Sequence, residues 1–270
     1  MAISTMDQLV AALALSQDQK LFFPAFSATA SAWHNYNQVV TGSMGTFSVP
    51  AAAGSGGKTY NQSTTSTGIP KWSADGAKTP YIGRWSNTGT IAATVHLYDV
   101  HWACSGFSGA LNTAQTVTGF SGMPARNTNG DGCEIWIGCS GAIGATAHNV
   151  TVQYTNQAGT SGRNTVSVAG IASMPSGRMY QLVLQSGDTG VQSVQGITLS
   201  ASSGTAGNLW VLVMSRAAAI SQVVGSVGVV SDAISLGLPV LADESCLLFV
   251  LQSATSAAVT TMGQLSIIQG

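Results

Sequence analysis

An all-β body, a jelly roll or two-sheet β-sandwich led by one short helix, is the fold class this sequence predicts, and three observations carry the reading. Short runs of Val, Ile, Leu and aromatic residues recur from about residue 21 onward, separated by Ser, Thr, Gly, Ala and Asn. Turn dipeptides punctuate those runs: Asn129-Gly130, Asp131-Gly132, Ala158-Gly159, Ser161-Gly162, Ser176-Gly177, Ser186-Gly187 and Ser203-Gly204. Between Asn149 and Thr155 the alternation is strict, with Val150, Val152 and Tyr154 on one face and Thr151, Gln153 and Thr155 on the other.

The elements follow in chain order. Thr5 with Gln8 three residues on forms a capping-box pattern, and Met6, Leu9, Val10 and Leu13 recur at helical spacing, so a helix is predicted from Met6 to Ser16. The chain then divides into a helical segment, 1–20, and a β body, 21–270, with a Gly/Ser-rich loop or arm at about 51–78. The stretch Ala53 to Gly68 has few apolar anchors against an ordering cost of about 1–2 kcal/mol per residue. It is therefore expected to be mobile in the free protein and ordered only against another chain. Thr94 to Trp102, Cys133 to Ile137 and Met179 to Gln185 are further strands. Leu209 to Met214 and Cys246 to Leu251 are apolar on both faces, which places them centrally. Ser231 to Leu236 reads as one helical turn stopped by Gly237 and Pro239.

Composition narrows the function. Of 270 residues, 9 are Lys or Arg and 10 are Asp or Glu, and charged residues make up 7% where about 25% is usual. Duplex nucleic acid and anionic lipid are held by clustered cations, and this chain has no such patch. The longest apolar stretch, Ala217 to Ala242, is broken by Ser, Gln, Gly and Asp, so no transmembrane helix is predicted. Asp7 and Gln8, with no basic flank before them, argue against a signal peptide, and synthesis in a cytoplasm is expected. Cys104, Cys133, Cys139 and Cys246 form no CxxC pair and are expected to be reduced, buried thiols.

Chemistry-bearing motifs are weak. Gly-x-Ser-Gly occurs at Ser108, Ser121, Ser140 and Ser161, and four copies of so short a pattern indicate turns rather than a nucleophile elbow. His96, Asp99 and His101 share one strand, but alternation puts His96 on the opposite face. Asn127 to Gly132 begins like a calcium loop, yet Gly138 stands where the twelfth-position Glu belongs, so a tight turn is expected. Glu134 and Glu244 are the only glutamates. No catalytic residue, metal site or cofactor is expected. Residues 21–57 and 245–270 contain no charge at all, although exposed strand edges are normally guarded by charge. Part of the surface is therefore expected to be buried in a homo-oligomer whose closed symmetry removes unguarded edges, with a trimer expected. The interface candidates are Met6, Leu9, Val10 and Leu13 on the helix, with Trp72, Tyr81 and Trp85 as an aromatic surface.

The block from Asn149 to Trp210, with V-T-V-Q-Y-T-N-Q-A-G-T-S-G-R, L-Q-S-G-D-T-G-V-Q-S-V and L-S-A-S-S-G-T-A-G-N-L, resembles tailed-bacteriophage virion structural proteins. The start M-D-Q-L-V-A-A-L-A and the ending Met262 to Gly270 fit the same group. Within that group the resemblance implies a head decoration or cement protein. Such a protein is a non-enzymatic jelly-roll homotrimer that binds the major capsid protein on the capsid exterior and stabilises the shell. A tail or fibre component is the neighbouring alternative. From another class, a carbohydrate-binding β-sandwich module would use Trp72, Tyr81 and Trp85 as its platform.

Overall fold

The computed structural model describes residues 2–35, 56–63, 71–225 and 228–270. Helix α1 (Met6–Ala14) opens the chain with the expected capping box: the Gln8 amide N–H donates to Thr5 Oγ1 at 3.3 Å, and the Thr5 N–H donates to Gln8 Oε1 at 3.2 Å. It ends before Ser16, where the chain turns directly into strand. The first eight strands are β1 (Gln17–Ser27), β2 (Trp33–Asn35), β3 (Lys58–Thr59), β4 (Pro80–Gly89), β5 (Ala93–Phe107), β6 (Gln115–Thr116), β7 (Cys133–Gly141) and β8 (His148–Asn156). The remainder are β9 (Arg163–Asn164), β10 (Val168–Ile171), β11 (Arg178–Leu182), β12 (Val191–Leu199), β13 (Asn208–Gln222), β14 (Val229–Asp232), β15 (Leu247–Ser253) and β16 (Ala258–Gln269). The protein is all-β with one short N-terminal helix.

Two compact units share the chain. The first spans Met1–Phe47, Gln62–Asp99 and Ala217–Gly270, and the second Ser48–Asn61 and Val100–Arg216. In the first, an antiparallel sheet in the order β1-β16-β4-β14 supplies Leu21, Phe23, Ile82, Trp85, Leu265 and Ile267 to a buried core. Strand β15, paired to β2 on one side and to residues 93–99 of β5 on the other, supplies Leu247, Phe249 and Leu251 to the same core. Alternate residues of each strand thus meet between two sheets, as the period of two requires. Phe249 sits centrally, with its ring centroid 5.7 Å from that of Phe23 and 5.9 Å from that of Trp85. Gln222 is paired through both ends inside this unit: its Oε1 accepts from Thr261 Oγ1 at 2.6 Å while its Nε2 donates to the Ile91 carbonyl at 3.0 Å.

The second unit repeats the plan with other strands. Strands β10-β8-β12-β6, with β9 also on β8, form one antiparallel sheet, and β7 lies between β13 and β11 in the other. Val150, Val152 and Tyr154 of β8 face inward as predicted, against Ile135 and Ile137 of β7 and Val211 and Val213 of β13. Leu209 to Met214 is fully buried, in line with its apolar character on both faces. Gly138 admits the Trp210 indole on the second face, since a Cβ there would lie 2.0 Å from Trp210 Cζ2.

The arm departs from expectation. Its described part, residues 56–63, is ordered on its own chain, while 53–55 and 64–68 lie outside the described residues. Lys58 and Thr59 pair with Ala103 and Trp102, the Tyr60 N–H donates to the His101 carbonyl at 2.9 Å, and Trp102 Nε1 donates to the Gly56 carbonyl at 3.0 Å. Arg126 then closes over the segment, with Nη1 donating to the Tyr60 carbonyl and Asn61 Oδ1, and Nη2 to the Val100 carbonyl, each at 2.8 Å. The apolar count undervalued one buried side chain, Tyr60, and took no account of backbone pairing or of a distant arginine. Ser231 to Leu236 agrees with expectation: β14 ends at Asp232, a single turn follows in which the Leu236 N–H donates to the Asp232 carbonyl four residues back at 2.9 Å, and Gly237 stops it at a φ of 75°.

Arg126→Ala removes three hydrogen bonds and leaves two backbone carbonyls short of a donor, at a cost of about 1–3 kcal/mol. Hydrogen exchange should show the Tyr60 amide losing protection while those of β8 and β12 keep theirs; unchanged protection at Tyr60 would show that Arg126 is not the clasp.

Candidate interaction surface

Helix α1 is seated by a minority of its apolar residues. Leu9 and Ala12 are buried with Tyr81, Ala233 and Ile268, and the Ile3 N–H donates to Tyr81 Oη at 3.3 Å. The small Ala12 side chain lets the helix lie close to the end of β16. Met6 and Val10 are left 59% exposed, Leu13 is exposed at its side, and Leu15, just past the helix, is 77% exposed. The predicted stripe is therefore divided: Leu9 holds the helix to its own unit, while Met6, Val10 and Leu13 face away.

The aromatic surface expected from Trp72, Tyr81 and Trp85 is not on the surface. Trp85 is wholly buried beside Phe249, Tyr81 forms the seat of α1, and Trp72 is buried where its backbone N–H donates to Gln62 Oε1 at 2.7 Å. In β4, Tyr81 belongs to the run 80–83 that is buried on both faces, whereas Trp85 points inward between exposed Arg84 and half-buried Ser86. These three rings cannot form a sugar platform in the folded chain.

Other exposed apolar side chains escaped the sequence reading. Phe22 and Met262 are direct cross-strand partners on the outer face of the first unit's β1-β16-β4-β14 sheet, and Met262 in turn opposes Thr88. The adjacent row runs Lys20, Gln264, Ser86 and Val230, with Val230 also exposed. The signal was present at Phe22-Phe23, where alternation obliges one ring to point outward whenever the other enters the core.

The motifs weighed for catalysis serve as turns and ties. Ser108 Oγ accepts from the Ala110 N–H, Ser121 Oγ from Trp102 Nε1 at 3.1 Å, and Ser140 Oγ from Asn208 Nδ2. A serine–histidine pair that the motifs did not indicate joins Ser215 Oγ to His101 Nε2 at 2.8 Å. Ser215 lies within the β13–β7 ladder opposite Cys133, not at a strained strand-to-helix elbow. Asp99 instead binds the turn before β15, accepting from the Cys246 N–H and Ser245 Oγ, each at 2.8 Å. Asn127 closes its turn by accepting from the Asp131 N–H and donating to the Asp131 carbonyl, both at 2.9 Å. Trp136 Nε1 donates to Glu134, and the Ser63 N–H and Oγ donate to Glu244. Among the described residues no group of three or more His, Cys, Asp or Glu side chains is placed to hold a metal ion.

The most concentrated electrostatics lie in the second unit. Asp188, with its side chain 3% exposed, takes two hydrogen bonds from Arg163, at 2.8 Å from Nε and 3.0 Å from Nη2. It also accepts from Tyr154 Oη and from Asn156 Nδ2 at 2.8 Å. The Arg163 hydrogen bonds first, then those of Tyr154 and Asn156, hold its carboxyl down to about 2. Burial, followed by the bond to Asp188, pushes the Tyr154 phenol up to about 12. Tyr154 Oη accepts from the Gln185 N–H, so the cluster fixes the 185–188 turn against β8.

No protein-family model and no curated protein matches the chain. Among solved structures, the infectious bursal disease virus VP2 subviral particle aligns over 94% of this chain and 80% of that one, at 11% identity and a TM-score of 0.20. The Gt strain of the same virus aligns over 94% and 81% at 9% identity and a TM-score of 0.18. Its T=1 particles align over 94% and 78% at 9% identity and 0.16. Similarity to a viral capsid protein at this level is weak and carries no argument about this chain.

Asp188 supplies stability that is fully present above its unfolded pKa of about 4 and is lost as pH falls through about 2. Asp188→Asn should abolish that part of the acid dependence, seen as a smaller loss in urea midpoint between pH 5 and pH 2 than the parent shows. An identical acid loss in both proteins would remove Asp188 from the account.

Proposed function

We propose that this chain is a non-enzymatic decoration, or cement, protein of a tailed-bacteriophage head. It assembles as a homotrimer, binds the major capsid protein on the outer capsid surface and stabilises the shell. The observation that carries the reading is the division of α1: two side chains seat the helix, and Met6, Val10, Leu13 and Leu15 remain outside in a chain with almost no charge. Apolar groups set on a rigid frame suit a protein-binding role. The sequence resemblance over Asn149 to Trp210, the start and the ending supplies the virion context. Many weak contacts repeated over a lattice would stabilise the assembled shell by mass action, with no reaction required.

Purified particles should contain the chain at a fixed high ratio to the capsid subunit, with electron microscopy density on the outside of the shell. A handful of copies at the tail would make it a tail or fibre component, and absence from particles would overturn the virion reading. Native mass measurement should give a trimer at micromolar concentration, and a monomer alone would remove the trimer.

Replacing both Met6 and Val10 by Glu changes only exposed side chains, so unfolding midpoints should move by no more than about 0.5 kcal/mol. Assembly or shell binding should weaken at least tenfold in sedimentation with particles; unchanged binding would show that α1 is not the contact.

A further inference from the structure

We propose that a neutral trough on the outer face of the second unit's β10-β8-β12-β6 sheet is a carbohydrate subsite that seats a single sugar ring. This goes beyond the virion reading and does not depend on it. Asn164 pairs with Gln153, Gln153 with Gly196, and Gly196 with Thr116, so the four lie in one row across β9, β8, β12 and β6. Over that row runs a trough of about 180 Å³, completed by Gln115, Gln195 and Thr198. Its floor is Gly196, where a Cβ would lie 2.7 Å from the Gln115 carbonyl oxygen, so the close approach of β6 keeps the floor bare.

The walls are prearranged. Gln115 is pinned through both ends of its amide, Oε1 accepting from the Ser108 N–H at 2.7 Å and Nε2 donating to the Ser108 carbonyl at 2.8 Å. Gln195 is the extra residue of a bulge in β12, because Val194 opposes Tyr154 and Gly196 opposes Gln153. Bulges re-aim side chains and recur beside functional sites. The Gln195 amide is held by donation to Ser193 Oγ at 2.7 Å and Thr155 Oγ1 at 3.0 Å, which leaves its Oε1 buried with no donor. Such an acceptor is costly unless a partner supplies the missing hydrogen.

The lining selects the ligand class. No charged side chain borders the trough, so a phosphate or carboxylate would find no counter-charge there. No aromatic ring borders it either, and its aliphatic lining is limited to the methyl of Ala114 and the buried Ile197, which disfavours lipid and flat hydrophobic ligands. What it offers is the side-chain amides of Gln153 and Asn164 and the hydroxyls of Thr116 and Thr198, able to donate and accept, and vicinal sugar hydroxyls need that alternation. Without a stacking ring, affinity for one site rests on a few neutral hydrogen bonds, giving a Kd on the order of 1 mM. Useful binding would then come from several copies displayed together.

The full-length protein, isotopically labelled, can be titrated with glucose, galactose, mannose and N-acetylglucosamine while the side-chain amide signals of Gln153, Asn164 and Gln195 are followed by NMR. At least one sugar should move all three saturably. Gln153→Ala, a change at an exposed position, should weaken that titration about tenfold and leave the backbone spectrum of β8 and β12 otherwise in place. The proposal is overturned if none of the four sugars moves these signals, if the variant titrates like the parent, or if the signals respond only to protein concentration, which would make the trough a contact between copies. Particle stoichiometry is measured separately, so the virion reading stands or falls independently.

Discussion

Scarcity of charge is the constraint on which the rest of the structure depends. With so few ions available, the work of fixing loops passes to neutral amides that reach backbone groups. Gln17 brackets Ser73 by accepting from its N–H and donating to its carbonyl. Gln62 donates to the Asp243 carbonyl and accepts from the Trp72 N–H. Gln222 ties three separate segments inside the first core, and Asn208 accepts from the Gly106 N–H at 2.7 Å. Each such staple satisfies a backbone group that would otherwise be stranded, and none is weakened by salt as surface ion pairs are.

The same economy explains which parts of the fold were legible in the residues. Strand β8 and the α1 cap depend on neighbours within four residues, and both stand where local pattern put them. The arm depends on Arg126, more than sixty residues away, and no local count of apolar groups contains that information. Tyr81 lies where both faces of the chain are covered, and Trp72 and Trp85 turn inward between exposed or half-buried neighbours, so polarity of the flanking residues misjudged their exposure. Two of the four boundaries between the units fall inside strands, in β5 at Asp99 and Val100 and in β13 at Arg216 and Ala217. Continuous strands carry no composition shift, which is why no linker marks those points in the sequence.

For the surface, the helical stripe was legible and its division was not. Periodicity identifies which residues share a side of α1, but only the tertiary seat on Tyr81, Ala233 and Ile268 decides that Leu9 and Ala12 are consumed. The outer sheet faces show the complementary case. In the first unit, Phe22 and Met262 stand together beside Lys20 and Gln264, whereas in the second the outer face of β8 and β12 is hydroxyls and amides. One chain thus presents an apolar face and a hydrogen-bonding face on separate units.

The four cysteines have a further consequence. All are buried and none is in a disulfide, and Cys139 spends its thiol hydrogen on the Met174 and Pro175 carbonyls, with burial pushing its pKa up to about 12. A thiol held that far from its thiolate is a poor partner for disulfide exchange and a slow target for peroxide. No crosslink among these cysteines holds the fold, so none has to be made or broken when the surroundings change from reducing to oxidising. The molecule's shape is in this respect indifferent to redox potential.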